Sequence, residues 1–202
     1  MRLLPLALLL AAAPALATPS AAETLKAKLA HYQSFSAHFS QKVVDDKGNV
    51  TMQASGDMAV ERPQKLYWHT AQPDETLLIS DGSTLWLYNP FVEQVTLYSP
   101  KEAVGRTPML LLSSQDPAVW NQFTIKAKGS DFAITPKDEK DAYVTALTVK
   151  FNGDKVTGLV IDDASGQQNT VTFSDFQSPR ADNPAIQFHF DPPAGVAVDD
   201  QR

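Results

Sequence analysis

The side chains that could do chemistry are few and scattered. His31, His38, His69 and His189 have no zinc-type spacing. His31 and His38 stand seven apart, but across a change from helical to strand periodicity. Asp45-Asp46, Asp162-Asp163 and Asp199-Asp200 are pairs that could ligate a metal or share acid–base work. Neighbouring residues on a strand point to opposite faces, so turns and solvated tails suit these pairs better. The chain has no cysteine, hence no thiol nucleophile and no disulfide. It has no Gly-x-Ser-x-Gly elbow and no phosphate loop. The expectation is a protein without catalytic residues, metal or cofactor.

One charge is conspicuous by its position. In Gly56-Asp57-Met58-Ala59-Val60-Glu61-Arg62-Pro63, strand alternation sets Met58, Val60 and Arg62 on one face and Asp57 and Glu61 on the other. Arg62 thus ends an apolar row. A guanidinium there either reaches solvent at the strand end or is buried with its donors met. Its five N–H groups form a fixed fork, and carbonyls at a helix C-terminus, or a carboxylate, are suitable acceptors. In the second case the arginine would pin a helical lid over an apolar interior.

The elements that would position it follow from hydrophobic period. Leu25, Leu29 and Tyr32 make one helical stripe in Glu23 to Ser34. From Ser36 the period is two. Strands are expected at Phe39–Val43, Val50–Arg62, Lys65–Thr70, Thr76–Ser80, Ser83–Tyr88 and Gln94–Tyr98, then at Gln122–Lys126, Asp131–Thr135, Tyr143–Phe151, Lys155–Ile161, Asn169–Phe176 and Ile186–Phe190. Gly, Pro, Asn or Asp separates most of them, and Asp81-Gly82 is a hairpin signal. Many short strands of this kind make an antiparallel barrel or a curled sheet. Between the two groups lies a helical turn from Pro100 to Arg106. A second short helix then runs from Thr107 to Ser114, with Thr107 as N-cap and Pro108 at its first position. Met109-Leu110-Leu111-Leu112 makes it apolar on most sides, so it must be buried.

Met1-Arg2, the apolar run Leu3–Leu16 and the Ala15-Leu16-Ala17 site have the layout of a cleaved secretory signal peptide. Cleavage is expected after Ala17, with a second plausible site after Ala22. Residues 18–202 then form a single domain large enough for a real core. Without cysteine the protein cannot itself be a lipoprotein. The formal net charge is −6, with no basic cluster, which argues against nucleic acid.

Several blocks in order resemble the LolA family. They are Leu25-Lys26-Ala27-Lys28-Leu29, Phe35–Val43, Gly56-Asp57-Met58 with Arg62-Pro63, Trp68-His69, Gln72-Pro73-Asp74-Glu75, Thr107-Pro108, and the ending Pro192–Arg202. Ser80–Gln94, with Leu85-Trp86-Leu87-Tyr88-Asn89-Pro90, is the most specific. The resemblance implies an α+β fold that is mainly β: an incomplete, strongly curved antiparallel β-barrel closed by a helical lid around a hydrophobic cavity. It implies a monomeric periplasmic carrier of lipoprotein acyl chains. An ATP-driven inner-membrane transporter, LolCDE, would load it, and an outer-membrane receptor, LolB, would unload it. It also implies that Arg62 bonds to backbone groups of the lid. Leu66 stands where the family can carry an aromatic residue at the transporter contact.

The residues expected to line the cavity are Met58, Val60, Leu66, Trp68, Trp86, Tyr88, Met109, Leu110 and Leu112. Ordinary core packing would produce the same apolar alternation. A related module that binds or senses another lipid, such as a glycolipid, would use an arginine and a lid equally well.

Overall fold

The computed structural model describes residues 18–140 and 142–202. The expected signal segment, residues 1–17, lies outside them. Helix α1 (Ala21–Ala30) starts at a capping box: Ser20 Oγ accepts from the Glu23 amide at 3.2 Å, and Glu23 Oε2 accepts from the Ser20 amide at 2.7 Å. Two donors that a helix start leaves free are thereby met. Leu25 and Leu29 are buried and Tyr32 packs beside them, so the expected stripe faces inward. The helix stops short of the expected Ser34, which instead opens the first strand.

Six strands follow as a meander: β1 (Ser34–Val44), β2 (Val50–Glu61), β3 (Lys65–Gln72), β4 (Thr76–Ser80), β5 (Leu85–Asn89) and β6 (Gln94–Tyr98). A helical insert comes next, made of α2 (Pro100–Ala103), a 3-10 turn (Pro108–Leu112) and α3 (Pro117–Trp120). A second meander holds β7 (Phe123–Lys128), β8 (Asp131–Pro136), β9 (Val144–Asn152), β10 (Lys155–Asp163) and β11 (Gln168–Gln177). Strand β11 returns to pair with β1, which joins the meanders, and with the last strand, β12 (Ala197–Asp200), they make one twelve-stranded sheet, ordered β12-β6-β5-β4-β3-β2-β1-β11-β10-β9-β8-β7. With β12 and β7 at its edges the sheet stays open, as an incomplete barrel.

Two glycines mark where the sheet bends. A Cβ on Gly56 would lie 1.8 Å from the His69 carbonyl oxygen, and one on Gly158 would lie 2.3 Å from that of Val171. Both sit at register shifts, in the β2–β3 and β9–β10 pairs. Backbones approach there more closely than any side chain allows, and bulges of this kind sharpen curvature.

Curvature gives the sheet two unlike faces. The concave face is covered by α1 and the insert around Phe35, Phe39, Met58, Trp68, Leu111 and Trp120. The convex face carries a smaller apolar cluster, with Tyr67, Trp86 and Leu97, covered by the chain between β11 and β12.

Here the structure departs from the sequence reading. Ile186–Phe190 is not a strand. Its apolar alternation arises because Ile186, Phe188 and Phe190 lay one row of side chains on the convex face without joining a ladder. Conversely, Ala197–Asp200, with the Asp199-Asp200 pair expected in a solvated tail, is β12 and pairs in parallel with β6. The short helix α3 was not anticipated, and the lid segment is a 3-10 turn whose Thr107 makes no side-chain cap.

Candidate functional site

Arg62 follows β2 directly and is 9% exposed. Its face is the one that alternation assigned, since Met58 and Val60 are fully buried in the concave core. The fork reaches two helix ends. Nε donates to the Tyr32 carbonyl, just beyond α1, at 2.9 Å. Nη2 donates to the Leu112 carbonyl, the last residue of the 3-10 turn, at 2.6 Å. The Arg62 amide also donates to the Gln33 carbonyl at 2.9 Å. Helix C-termini leave carbonyls without partners and carry partial negative charge, so they attract a cation. Burial pulls the guanidinium pKa down to about 10, and it stays charged near neutrality. One side chain thus ties the sheet to both halves of the cover.

Other contacts hold the two halves separately. Lys28 on α1 donates to the Gly153 carbonyl at 2.9 Å and pairs with Asp154 at 2.7 Å, which anchors the helix to the β9–β10 turn. The insert is fixed near its end. The Gln64 amide donates to the Ser113 carbonyl at 3.1 Å, and Trp120 Nε1 donates to the Ser114 carbonyl at 3.1 Å. Lys26 lies 5.5 Å above the Trp120 ring, linking α1 to α3.

Most expected cavity residues do come together. Met58, Val60, Leu66, Trp68, Leu110 and Leu112 belong to one buried cluster, and Met109 packs against it. Trp86 and Tyr88 do not. They lie on the convex face, where Trp86 meets the His189 ring edge-on at 5.0 Å and Tyr88 lies 4.9 Å from Phe190. The reason is that β5, Leu85-Trp86-Leu87-Tyr88, is apolar on both faces, so alternation alone does not say which face is concave. Register does: Ile79 pairs Trp86 and faces outward with it, leaving Leu85 inside.

Phe35, Phe39, Trp120 and Phe173 are concave-face residues that the sequence reading missed. Phe39 stacks on Trp68 at 4.3 Å and Phe173 meets the same ring at 6.4 Å. The available signal was pairing order, because Phe39 stands opposite Phe173 across β1 and β11.

The leucines of the lid turn occupy the concave face. Leu110, Leu111 and Leu112 project into it and are at most 5% exposed. A space of about 20 Å³ lies beside them, among Gln64, Val104, Leu110 and Ser113. The expected cavity exists as an apolar surface occupied by lid side chains, which any guest must displace.

Fold and site together define a class: an open half-barrel whose apolar interior is covered by helices, with one buried cation bridging cover and sheet. The family model described as "Outer membrane lipoprotein carrier protein LolA" matches residues 30–191. Relatives named outer-membrane lipoprotein carrier protein are 40% identical in Serratia proteamaculans, over 90% of this chain and 89% of theirs, and 41% identical in Yersinia enterocolitica, over 92% and 91%. Among solved structures, a LolA superfamily protein from Nitrosomonas europaea superposes with a TM-score of 0.50 at 12% identity, covering 84% of this chain and 97% of that one. An uncharacterised Thermus thermophilus protein gives 0.52 at 8% identity, covering 90% and 100%. These two likenesses concern the fold alone. The chain belongs to the LolA family.

Proposed function

We propose that this protein is a non-enzymatic periplasmic carrier of lipoproteins. It shields their acyl chains on the concave face, receives them from an ATP-driven inner-membrane transporter of the LolCDE kind, and yields them to an outer-membrane receptor of the LolB kind. The observation that carries this reading is the pair of bonds from Arg62 to the Tyr32 and Leu112 carbonyls. The names and coverage of the relatives support the cargo. No helix among the described residues is long and apolar enough to cross a membrane. Cleavage after Ala17 leaves the Ser20 capping box intact, whereas cleavage after Ala22 removes it.

The energetics suit transport. Each acyl methylene moved into water costs about 0.8 kcal/mol, so a long chain cannot cross an aqueous space unshielded. A carrier must also release. Charge-assisted hydrogen bonds contribute roughly 1.5–3 kcal/mol each. Bonds from Arg62 that break when a guest lifts the lid re-form when it leaves, and so offset part of the lost acyl burial. Arg62 acts here as a latch that favours the shut form. The acyl chains lie against Met58, Val60, Leu66, Trp68, Met109, Leu110 and Leu112.

The test is release of lipoproteins from inner-membrane vesicles that contain an active transporter. The purified protein is expected to appear in a soluble one-to-one complex with lipoprotein. No release, or co-purification of a glycolipid in place of lipoprotein by mass spectrometry, defeats the proposal.

A further inference from the structure

The lid is hydrogen-bonded to the turn between β2 and β3 through one of its ends. Its Leu112–Ser114 end meets Arg62 and Gln64. Among the described residues, no hydrogen bond ties Arg106–Met109 to a strand. Under that free end runs a groove of about 270 Å³, lined by Met52, Pro108, Met109, Tyr143 and Ile161. Toward solvent it presents two large apolar side chains, Met52 at 41% and Tyr143 at 63% exposed, with the polar Thr51, Asp163 and Gln167 beside them.

The strand register shows where the groove leads. Met52 pairs Val43, Val43 pairs Asn169, Asn169 pairs Ile161 and Ile161 pairs Leu147. Cross-strand partners share a face, so these residues form one row from the exposed rim to the buried core, where Leu147 is 2% exposed. The row has one polar member. Asn169 Oδ1 is buried without a hydrogen-bond partner, a condition that native proteins seldom leave unexplained. Exposed Arg106 stands at the lip of this groove and of a neighbouring one of about 450 Å³ that is floored by Leu87 and Tyr98.

These observations select an occupant. The groove is too small for a helix, and its floor continues into the concave core. A long thin apolar chain fits it, and thioethers on both walls adapt to such a chain. At the lip the Arg106 guanidinium can donate to the ester oxygens of a head that cannot follow the chain inside, and Asn169 Oδ1 can accept from a head-group hydroxyl or amide N–H. Resting on the carrier reading above, we propose that acyl chains enter at this rim, beneath Met109 and between Met52 and Tyr143. They lift the lid from the end opposite Arg62.

Stopped-flow uptake of a neutral fluorescent palmitoyl ester by the purified protein tests this. Met52→Glu, Met52→Lys and Tyr143→Glu change positions exposed enough to leave folding intact, as thermal melts would verify. Each is expected to slow uptake at least tenfold, whichever sign of charge is introduced. Leu87→Glu, in the neighbouring groove, is expected to take up the ester at the wild-type rate. Wild-type rates in all three rim variants overturn the portal, as does a loss confined to Leu87→Glu. Failure of the wild-type protein to take up either the ester or lipoprotein overturns the carrier reading along with it.

Discussion

The two faces of the sheet are both apolar and both covered, but the covers are built differently. On the convex side the chain from Ser178 to Val196 is hydrogen-bonded to the sheet at its start and packs its rings on the sheet further on. Ser178 Oγ donates to the Ser34 carbonyl at 2.8 Å, and the Ala181 amide donates to Ser36 Oγ at 3.0 Å. Arg180 pairs with Glu61 at 3.3 Å and stacks over Phe188 at 5.4 Å. The chain then enters the sheet itself as β12. Such a cover peels only when the edge of the sheet unzips. On the concave side the insert adds no strand to the ladder, and one buried guanidinium bridges it and α1 to the sheet. A cover held by a few bonds to backbone carbonyls can open and re-form without unfolding anything. On the carrier reading proposed above, one sheet would keep a permanent core on one side and an exchangeable one on the other.

The largest expected break in this contrast is Arg62→Leu. Exchanging a buried charge for an apolar side chain is often neutral for folding. Two charge-assisted bonds nevertheless vanish from the shut form, a loss of roughly 3–6 kcal/mol. Loading is expected to persist while transfer from purified carrier to receptor falls a hundredfold or more. Normal transfer by this variant would falsify the latch.

Trp86→Ala probes the other face. Loss of this buried ring is expected to cost about 3–5 kcal/mol of stability. Its effect should be on the denaturant midpoint, with unchanged lipoprotein loading per folded molecule. A selective loading defect would return Trp86 to the binding surface from which the register removed it.

Arg180→Ala should act more weakly, by about 1 kcal/mol, because its pair with Glu61 is partly exposed. Hydrogen exchange should quicken in residues 178–190 and stay unchanged in Tyr32 to Gln33 and Leu112 to Ser114. Faster exchange in the lid would mean that the two covers are coupled.

The smallest effect is that of acid. Hydrogen bonding from Lys65, and then from Arg180, holds the Glu61 carboxyl below its usual pKa. A lowered folded-state pKa means stability that is fully present above the unfolded value near 4.5 and lost as pH falls through the folded value. The convex cover should therefore loosen slightly below about pH 4.5. The Arg62 bonds run to carbonyls, which do not titrate, so the Leu112–Ser114 end of the lid should respond less than the convex cover; the carboxyls that hold the concave cover elsewhere, Asp154 beside Lys28 and Asp116 capping Ala118, are themselves held below their usual range. Amide exchange measured on both segments from pH 6 to pH 3.5 checks the difference.

Much of this was legible in the residues. Period two and turn chemistry located all but one of the strands. The Leu25–Leu29–Tyr32 stripe located α1, and Pro108 with its leucines located the buried turn of the insert. Alternation through Met58 and Val60 assigned Arg62 to the apolar face. Three features were not legible. Leu85 to Tyr88 is apolar on both sides, and nothing local distinguishes concave from convex. Ile186, Phe188 and Phe190 have the spacing of a strand because any extended chain lying on a sheet face shows it. The Asn169 amide reads as an ordinary strand-start residue until its row partners are known.

What the sequence determined by itself was local: the period of each segment, the residues that share a face, and the presence of one cation where an apolar side chain belonged. Those follow from backbone geometry, which every stretch of chain obeys alone. The tertiary structure decided which carbonyls met that cation, which apolar face received helices and which received extended chain, and that the interior is filled by the leucines of its own lid. Those depend on register between strands far apart in the chain and on the competition of two covers for two faces. No single segment encodes that outcome.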